Sequence, residues 1–333
     1  MSARTEDPRG ERGAALLMVL MIVAVMSVIA VGAAEAVSYA ARRGANVAAR
    51  NQALWYLGGA EALARATLER SHALDPERTT LDQPWAAGVL RFEVDGGLME
   101  GALSDAGNCF NLNRLARVRD RGVGYDVDTD AVGALVTLLT ALDIDPGSAE
   151  RLAGGAADWI DADGDARADG AEDFDYAFAD PPYRAANSIF VEVDELRGLS
   201  GVSEGVFRAV RPYLCAYEPG VGQTLNVNTV RVDQAALLVA LFDGRLALDD
   251  AQNIIRDRPP GGWTALEEFW AIEAVGVLAV DDETRDRIGL RTRDFALDAR
   301  VRHRDAYVEA RVLFRVDAGG RVTLVRRRLG DQT

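Results

Sequence analysis

The sequence predicts an α+β protein: a long N-terminal transmembrane helix, then antiparallel β structure interrupted by a large all-helical insertion. Three observations predict it. Ala14 to Ala34 runs 21 residues without a charge. Strand-like alternation occurs near residues 88–103 and returns at 308–324. The stretch between them, 114–291, is patterned mostly for helices.

The N-terminal run follows a charged, glycine-ended leader, Arg9-Gly10-Glu11-Arg12-Gly13. At about 1.5 Å rise per residue it makes a helix roughly 31 Å long, enough to cross a bilayer's hydrocarbon core. A secretory signal has a shorter apolar region, of roughly 7–15 residues, before a small-residue cleavage site. Val31-Gly32-Ala33 or Ala34-Glu35-Ala36 could supply that site, but the run is too long. A prepilin-type signal fits better: cleavage follows Gly13, Ala14 becomes the new N-terminus, and the helix stays on the mature protein. A plain anchor is the remaining reading. Arg4, Arg9 and Arg12 favour a cytoplasmic start, although Arg42 and Arg43 beyond the span blunt the asymmetry.

Helical character continues to about Ser71, with no proline before Pro76. One continuous helix of 14–72 is expected, with the span at 14–34 and weak points at Gly44 and Gly58-Gly59. Trp55, Tyr56, Leu63 and Leu68 are expected to cover a soluble domain. Residues 73–113 form the first β part, in which Gly88 to Asp95 reads as a strand, Gly96-Gly97 as a turn and Leu98 to Leu103 as the returning partner. In the insertion, helices are expected near 131–142, 147–160, 191–199, 203–213, 233–242, 247–257, 265–271 and 281–290. The last part, 292–333, is strand again: Val308, Ala310, Val312, Phe314 and Val316 alternate with polar residues, and Ala318-Gly319-Gly320 turns the chain into Val322 and Leu324.

At 333 residues the chain can hold roughly two domains beyond the membrane helix. A net charge of −15 would repel phosphate backbones, so no nucleic-acid partner is expected. Only His72 and His303 are present, which supplies histidine metal sites and Ser-His-Asp catalysis thinly. Cys109 and Cys215 make no C-x-x-C pair. Export would favour a disulfide, whereas two buried thiols are the other reading.

The sharpest local signal is Asp161-Ala-Asp163-Gly-Asp165-Ala-Arg-Ala-Asp169-Gly-Ala-Glu172, followed by Asp173 and Asp175. Asp161, Asp163, Asp165, Asp169 and Glu172 fall at positions 1, 3, 5, 9 and 12 of a calcium loop, a spacing of oxygen-only ligands that suits a hard cation. An EF-hand wants glycine at position 6, where this chain has Ala166, so a strict EF-hand is not implied. Carboxylates so crowded disfavour a compact loop unless a cation neutralises them. Calcium is therefore the expected cofactor; a solvated acidic loop and a catalytic carboxylate pair are the alternatives. Glu192, Asp194 and Glu195 read as the polar first turn of a helix. Asn226-Val-Asn-Thr229, Ile254-Ile255, Gly261-Gly262-Trp263 and Leu266 to Phe269 look like a helix-hairpin-helix unit over 222–290, read as protein packing because the acidic balance opposes a phosphate ligand.

Arg12-Gly-Ala-Ala-Leu-Leu17, Asn51-Gln-Ala-Leu-Trp-Tyr56 with Ala60-Glu61, Leu81-Asp-Gln-Pro-Trp-Ala86, Cys109-Phe-Asn-Leu-Asn113, Trp159-Ile-Asp161, Val193-Asp-Glu-Leu196 and Asn226-Val-Asn-Thr229 occur in order along nearly the whole chain. Together they resemble the K minor pseudopilins of type II secretion systems. The resemblance implies a non-enzymatic subunit with a pilin-like sheet, cut by prepilin peptidase after Gly13 and N-methylated on Ala14, with a Cys109–Cys215 disulfide and calcium in the acidic loop. It further implies a place at the pseudopilus tip with the I and J minor pseudopilins, above the major pseudopilin and an inner-membrane assembly platform, with the head in the periplasm. Met18 stands where major pilins carry a glutamate, which K members lack. A minor pilin of a type IV pilus is the alternative within this class, and a membrane-anchored DNA-binding helix-hairpin-helix protein lies outside it.

Overall fold

The computed structural model describes residues 9–119, 123–218 and 224–330. The leader's residues 1–8 and the ends of the helix-hairpin-helix-like and C-terminal parts at 222–223 and 331–333 lie outside the described residues.

Helix α1 spans Arg9–Leu74, 66 residues running unbroken through Gly44 and Gly58-Gly59. Among the described residues it holds the one helix segment long and apolar enough to cross a membrane. Leu16 to Val31 lie exposed on it, while its second half buries Ala53, Leu57, Ala60, Ala64 and Leu68. Those five positions follow the spacing of three and four that keeps side chains on one helix face. Trp55 and Leu63 fall off that face and are 80% and 40% exposed, so only Leu68 of the four expected positions is deeply buried. The stripe is set by small alanines that let the helix lie close to the sheet, not by the large residues the composition emphasises.

The sheet beneath the helix has five strands: β1 (Leu90–Val94), β2 (Gly97–Asp105), β3 (Asp294–His303), β4 (Ala306–Val316) and β5 (Val322–Leu329). They lie in that order, and every neighbour is antiparallel. The register places Leu103, Leu297 and Val312 side by side, and Gly101, Ala299 and Ala310 in the next row. Alternate residues of β3 and β4, including Leu297, Val301, Val312 and Phe314, are buried against α1 in one apolar cluster. Burying a leucine, valine or phenylalanine side chain stabilises by about 1.5–3 kcal/mol, so this face carries most of the helix-to-sheet attachment. The opposite face is charged and cross-paired: Arg300 donates to Glu309, and Arg311 lies 3.8 Å from Asp298. A register shift between Leu313 and Phe314 bends the β4–β5 pairing. Arg327 of β5 faces α1 and donates through both its Nε, at 2.6 Å, and Nη2 to Glu61, itself 8% exposed.

Between β2 and β3 the chain leaves the sheet and builds a second, separate apolar cluster. Its helices include α2 (Thr129–Ala141), α3 (Pro146–Ile160), α4 (Asp173–Tyr176), α5 (Glu204–Val210), α6 (Ala235–Leu241) and α7 (Leu248–Arg256). Asp128 caps α2 by accepting from the amides of Asp130 and Ala131, and Asp145 caps α3 by accepting from that of Ser148. The block is not purely helical. Phe110–Asn111 pairs in parallel with Leu214–Cys215, Ala116–Val118 pairs antiparallel with Tyr125–Val127, and Leu225–Asn226 pairs in parallel with Ile288–Gly289. Runs of two or three residues are too short for an alternation to be read. The last pairing also stops the helix expected to reach residue 290, which occupies only Asp282–Asp286. The segment expected as a helix near 191–199 is a 3-10 helix, Val193–Gly198.

Cys109 and Cys215 form a disulfide beside the first of these pairings, closing a loop across 106 positions. The insertion is joined to the sheet by a buried polar seam. Asn226 Nδ2 donates to the Thr79 carbonyl and to Thr292 Oγ1, both at 2.9 Å. Asn108 Oδ1 accepts from the Asn226 amide, and Thr229 donates to Asp105. The Asn226-to-Thr229 motif thus joins two parts of this chain. At the glycine turn, φ is +78° at Gly261 and +76° at Gly262, and a side chain on Gly262 would strike Asn228 at 2.6 Å. Asn228 Oδ1 accepts from the Trp263 amide at 2.7 Å, so an amide that a phosphate could use is already taken.

Candidate cation site and assembly helix

The acidic loop begins where α3 ends. The last turn of α3 is buried, and it carries Asp158 at 0% exposure, with Asp161 at 2% as its C-cap. A helix C-terminus holds partial negative charge, so two carboxylates there lack the usual electrostatic support. Arg167 supplies one cation: its Nε lies 3.2 Å from Asp158 Oδ1, and its Nη2 lies 3.4 Å from Asp161 Oδ2. Its backbone amide also donates to Asp158 Oδ2 at 3.0 Å. Gly170 passes directly over this carboxyl, since a Cβ there would lie 1.8 Å from Asp158 Oδ2.

Glu172 enters from the far side of the loop as the N-cap of α4 and is 4% exposed. Oxygens of Asp161, Asp163 and Glu172 lie within 4.8 Å of one another. Asp158 Oδ1, Asp161 Oδ1 and both Glu172 oxygens are buried and accept no hydrogen bond. Burial pushes the Asp161 carboxyl up to about 6, with the charges of Asp163 and Asp158 adding to it. Burial likewise pushes Glu172 up to about 7, helped by Asp161 and Asp158. Asp158 is raised first by burial as well. Asp161, Asp163 and Glu172 therefore converge with the charge of Asp158 nearby, and one guanidinium offsets only part of that charge.

Of the residues singled out in the sequence, Asp161, Asp163 and Glu172 come together. Asp165 and Asp169 are exposed and lie outside that trio. Asp173 accepts from the Ala185 amide at 3.1 Å, and Asp175 accepts from the Glu172 amide at 3.0 Å, so both fasten the loop's exit. Asp158 is the residue that loop spacing misses, because it belongs to the preceding helix. Its signal is an acid one helical turn before Asp161 on an otherwise apolar face. The oxygen-only set, with buried, orphaned oxygens on Asp161 and Glu172 and an exposed Asp163 at its rim, fits a hard cation of calcium's type.

The second acidic cluster has a different role. Glu195 accepts from the Glu192 amide and from the Trp159 indole. Glu192 and Asp194 accept from Arg326 and Arg328 of β5, joining the insertion to the sheet's edge. On the assembly helix, Gly13 and Ala14 lie within α1. Met18, 68% exposed, is part of a continuous apolar surface.

Comparison with known proteins follows the same division. Residues 108–219 and 225–291 match two models described as type II secretion system protein K, and residues 12–62 match a PilX N-terminal model. The chain is 35% identical over 322 residues to type II secretion system protein K of Pectobacterium carotovorum subsp. carotovorum, covering 96% of this chain and 97% of that one. It is 38% identical over 259 residues to the protein K of Aeromonas hydrophila, covering 77% and 78%. Its fold is similar to a chain in the crystal structure of the GspK-GspI-GspJ complex from the enterotoxigenic Escherichia coli type 2 secretion system. That match has a TM-score of 0.71 and 29% identity over 85% of this chain and 97% of the other.

Proposed function

The chain belongs to the type II secretion system protein K family and is a minor pseudopilin, and on that premise we propose that it caps the pseudopilus tip during export of folded proteins. The observation that carries the proposal is the division of labour along α1: an apolar half left unburied among the described residues, and a half locked to a head enlarged by the insertion. The free half supplies the assembly surface. A head of that bulk obstructs a subunit stacked above it, which favours an end position. Met18 supports the same reading, because a glutamate there would need a partner for its charge inside the membrane or fibre.

The I and J minor pseudopilins are the proposed neighbours, since the similar chain of known structure stands in a complex with GspI and GspJ. Prepilin peptidase would cut after Gly13, Ala14 would be N-methylated, and the major pseudopilin and inner-membrane assembly platform would receive the helix. The single long apolar helix supports a single-pass anchor, with the N-terminus cytoplasmic and the head periplasmic. Asp161, Asp163 and Glu172 would hold calcium, with Asp158 supplying further negative charge; the ion would supply structural neutralisation, not catalysis. No catalytic role is assigned to these acids. A type IV minor pilin and a DNA-binding protein are not favoured by the matches to protein K over most of the chain.

N-terminal sequencing of membrane-extracted protein tests the processing step and should begin at Ala14; a start after Ala33 or Ala36 overturns it. Co-purification with the I and J subunits tests the placement. An assembly in which the chain is found repeatedly along the shaft is incompatible with a cap.

A further inference from the structure

A cleft of about 360 Å³ lies between the insertion and the sheet, beside the Cys109–Cys215 disulfide. Five arginines line it, Arg211, Arg231, Arg311, Arg326 and Arg328, in a protein whose net charge is −15. Three carboxylates line it as well: Asp105, Glu192 and Asp194. Asp105 is withdrawn from it, because its Oδ1 accepts from the Gly107 amide and its Oδ2 from the hydroxyls of Thr229 and Thr292. Glu192 and Asp194 are engaged by Arg326 and Arg328, with Arg211 reaching Asp194 at 3.4 Å. Four acids thus pair with the five guanidinium groups: Glu192 and Asp194 within the cleft, Asp233 on Arg231 and Asp298 beside Arg311. Arg311 is the least committed of these, its nearest acid being Asp298 at 3.8 Å.

We propose that this cleft binds a carboxylate-bearing segment of a protein partner, an acidic peptide whose side-chain carboxylate enters between Arg311 and Arg211. Guanidinium groups pair with carboxylates through parallel hydrogen bonds, and a partly enclosed setting strengthens such contacts. The wall also presents Val193, Pro212 and Leu313, which suits a charged group carried on an aliphatic stem better than a bare inorganic anion. The volume lies at the small end of the range for ligand sites and accommodates one or two side chains, not a folded surface.

The test uses the detergent-solubilised full chain, titrated calorimetrically with an acetylated, amidated Glu-Glu-Leu peptide and separately with its Gln-Gln-Leu counterpart, and with inorganic phosphate as competitor. The proposal expects saturable binding of the glutamate peptide only, weakened at least about tenfold by Arg311→Gln, as loss of a charge-assisted contact implies. Arg231→Gln provides a second variant that spares the strand. Its side chain is half exposed and pairs with the neighbouring Asp233, so its removal leaves the fold in place while lowering the cleft's charge. Equal binding of both peptides, binding indifferent to both substitutions, or phosphate displacing the peptide at equal concentration overturns the proposal.

Discussion

Asp161 and Glu172 are held protonated at higher pH than ordinary carboxyls, and this sets how the site answers to acid and to metal. A raised carboxyl pKa means that ionisation opposes the folded state. In the cation-free protein these two groups favour folding most at low pH and less as pH climbs from about 4 through 7. A bound cation reverses the preference, because it takes the ionised form. The increase in melting temperature produced by calcium should therefore be larger at pH 7.5 than at pH 5, and an equal increase at both values contradicts the site. Asp161→Asn should weaken calcium binding by about tenfold or more, measured by titration with a competing chelator. Asp175→Ala should leave affinity nearly unchanged but cost about 0.5–2 kcal/mol, since it removes the oxygen that accepts from the Glu172 amide. Part of the cluster is legible: the spacing of acids singles out Asp161, Asp163 and Glu172, and these three come together in the structure. Asp165 and Asp169 were less so, because the spacing rule assumes an EF-hand path and Ala166 replaces the glycine on which that path turns. Asp158 escaped because a helix hides it from any loop pattern.

Elements were legible where one period runs long. The membrane part of α1 and the alternation of β4 follow directly from composition and period. β3 is harder to read, because Phe295, Ala296 and Leu297 are all buried and blur the alternation. Which face of α1 meets the sheet was also hidden. Alanines at 53, 60 and 64 do the packing, while Trp55 points away. The Glu61–Arg327 contact is the one described ion pair that ties α1 to β5. Arg327→Ala should destabilise the head by about 1–2 kcal/mol, a figure kept low because the arginine is 47% exposed and solvent screens the pair. Chemical denaturation of the single variants and of Glu61→Ala/Arg327→Ala separates the coupling from the loss of packing; additive single costs would show that no coupling exists.

At the scale of the whole molecule, strand patterns at both ends of the chain point to an insertion, and the described residues pack into two separate apolar clusters. The three short strand pairings and the polar seam could not be read, since each joins residues far apart in sequence through backbone groups or single amides. The disulfide contributes at this scale by restricting the unfolded chain. Replacing both cysteines by serine should lower unfolding free energy by up to about 4–5 kcal/mol in the chain-entropy model, read from denaturant melts with and without reductant. A reductant-insensitive wild type would contradict it.

The insertion departs after Asp105 and returns at Asp294, and the Ala106 amide donates to the Asp294 carbonyl across the gap at 2.9 Å. Topologically, β2 and β3 are a hairpin whose turn has been replaced by an entire folded body. Both ends of that body meet at one point, so a graft at this position leaves the register of every strand untouched. The sheet can tolerate inserts of very different size and shape there, which makes this junction the place where a fibre subunit can change its outer form without changing how it assembles.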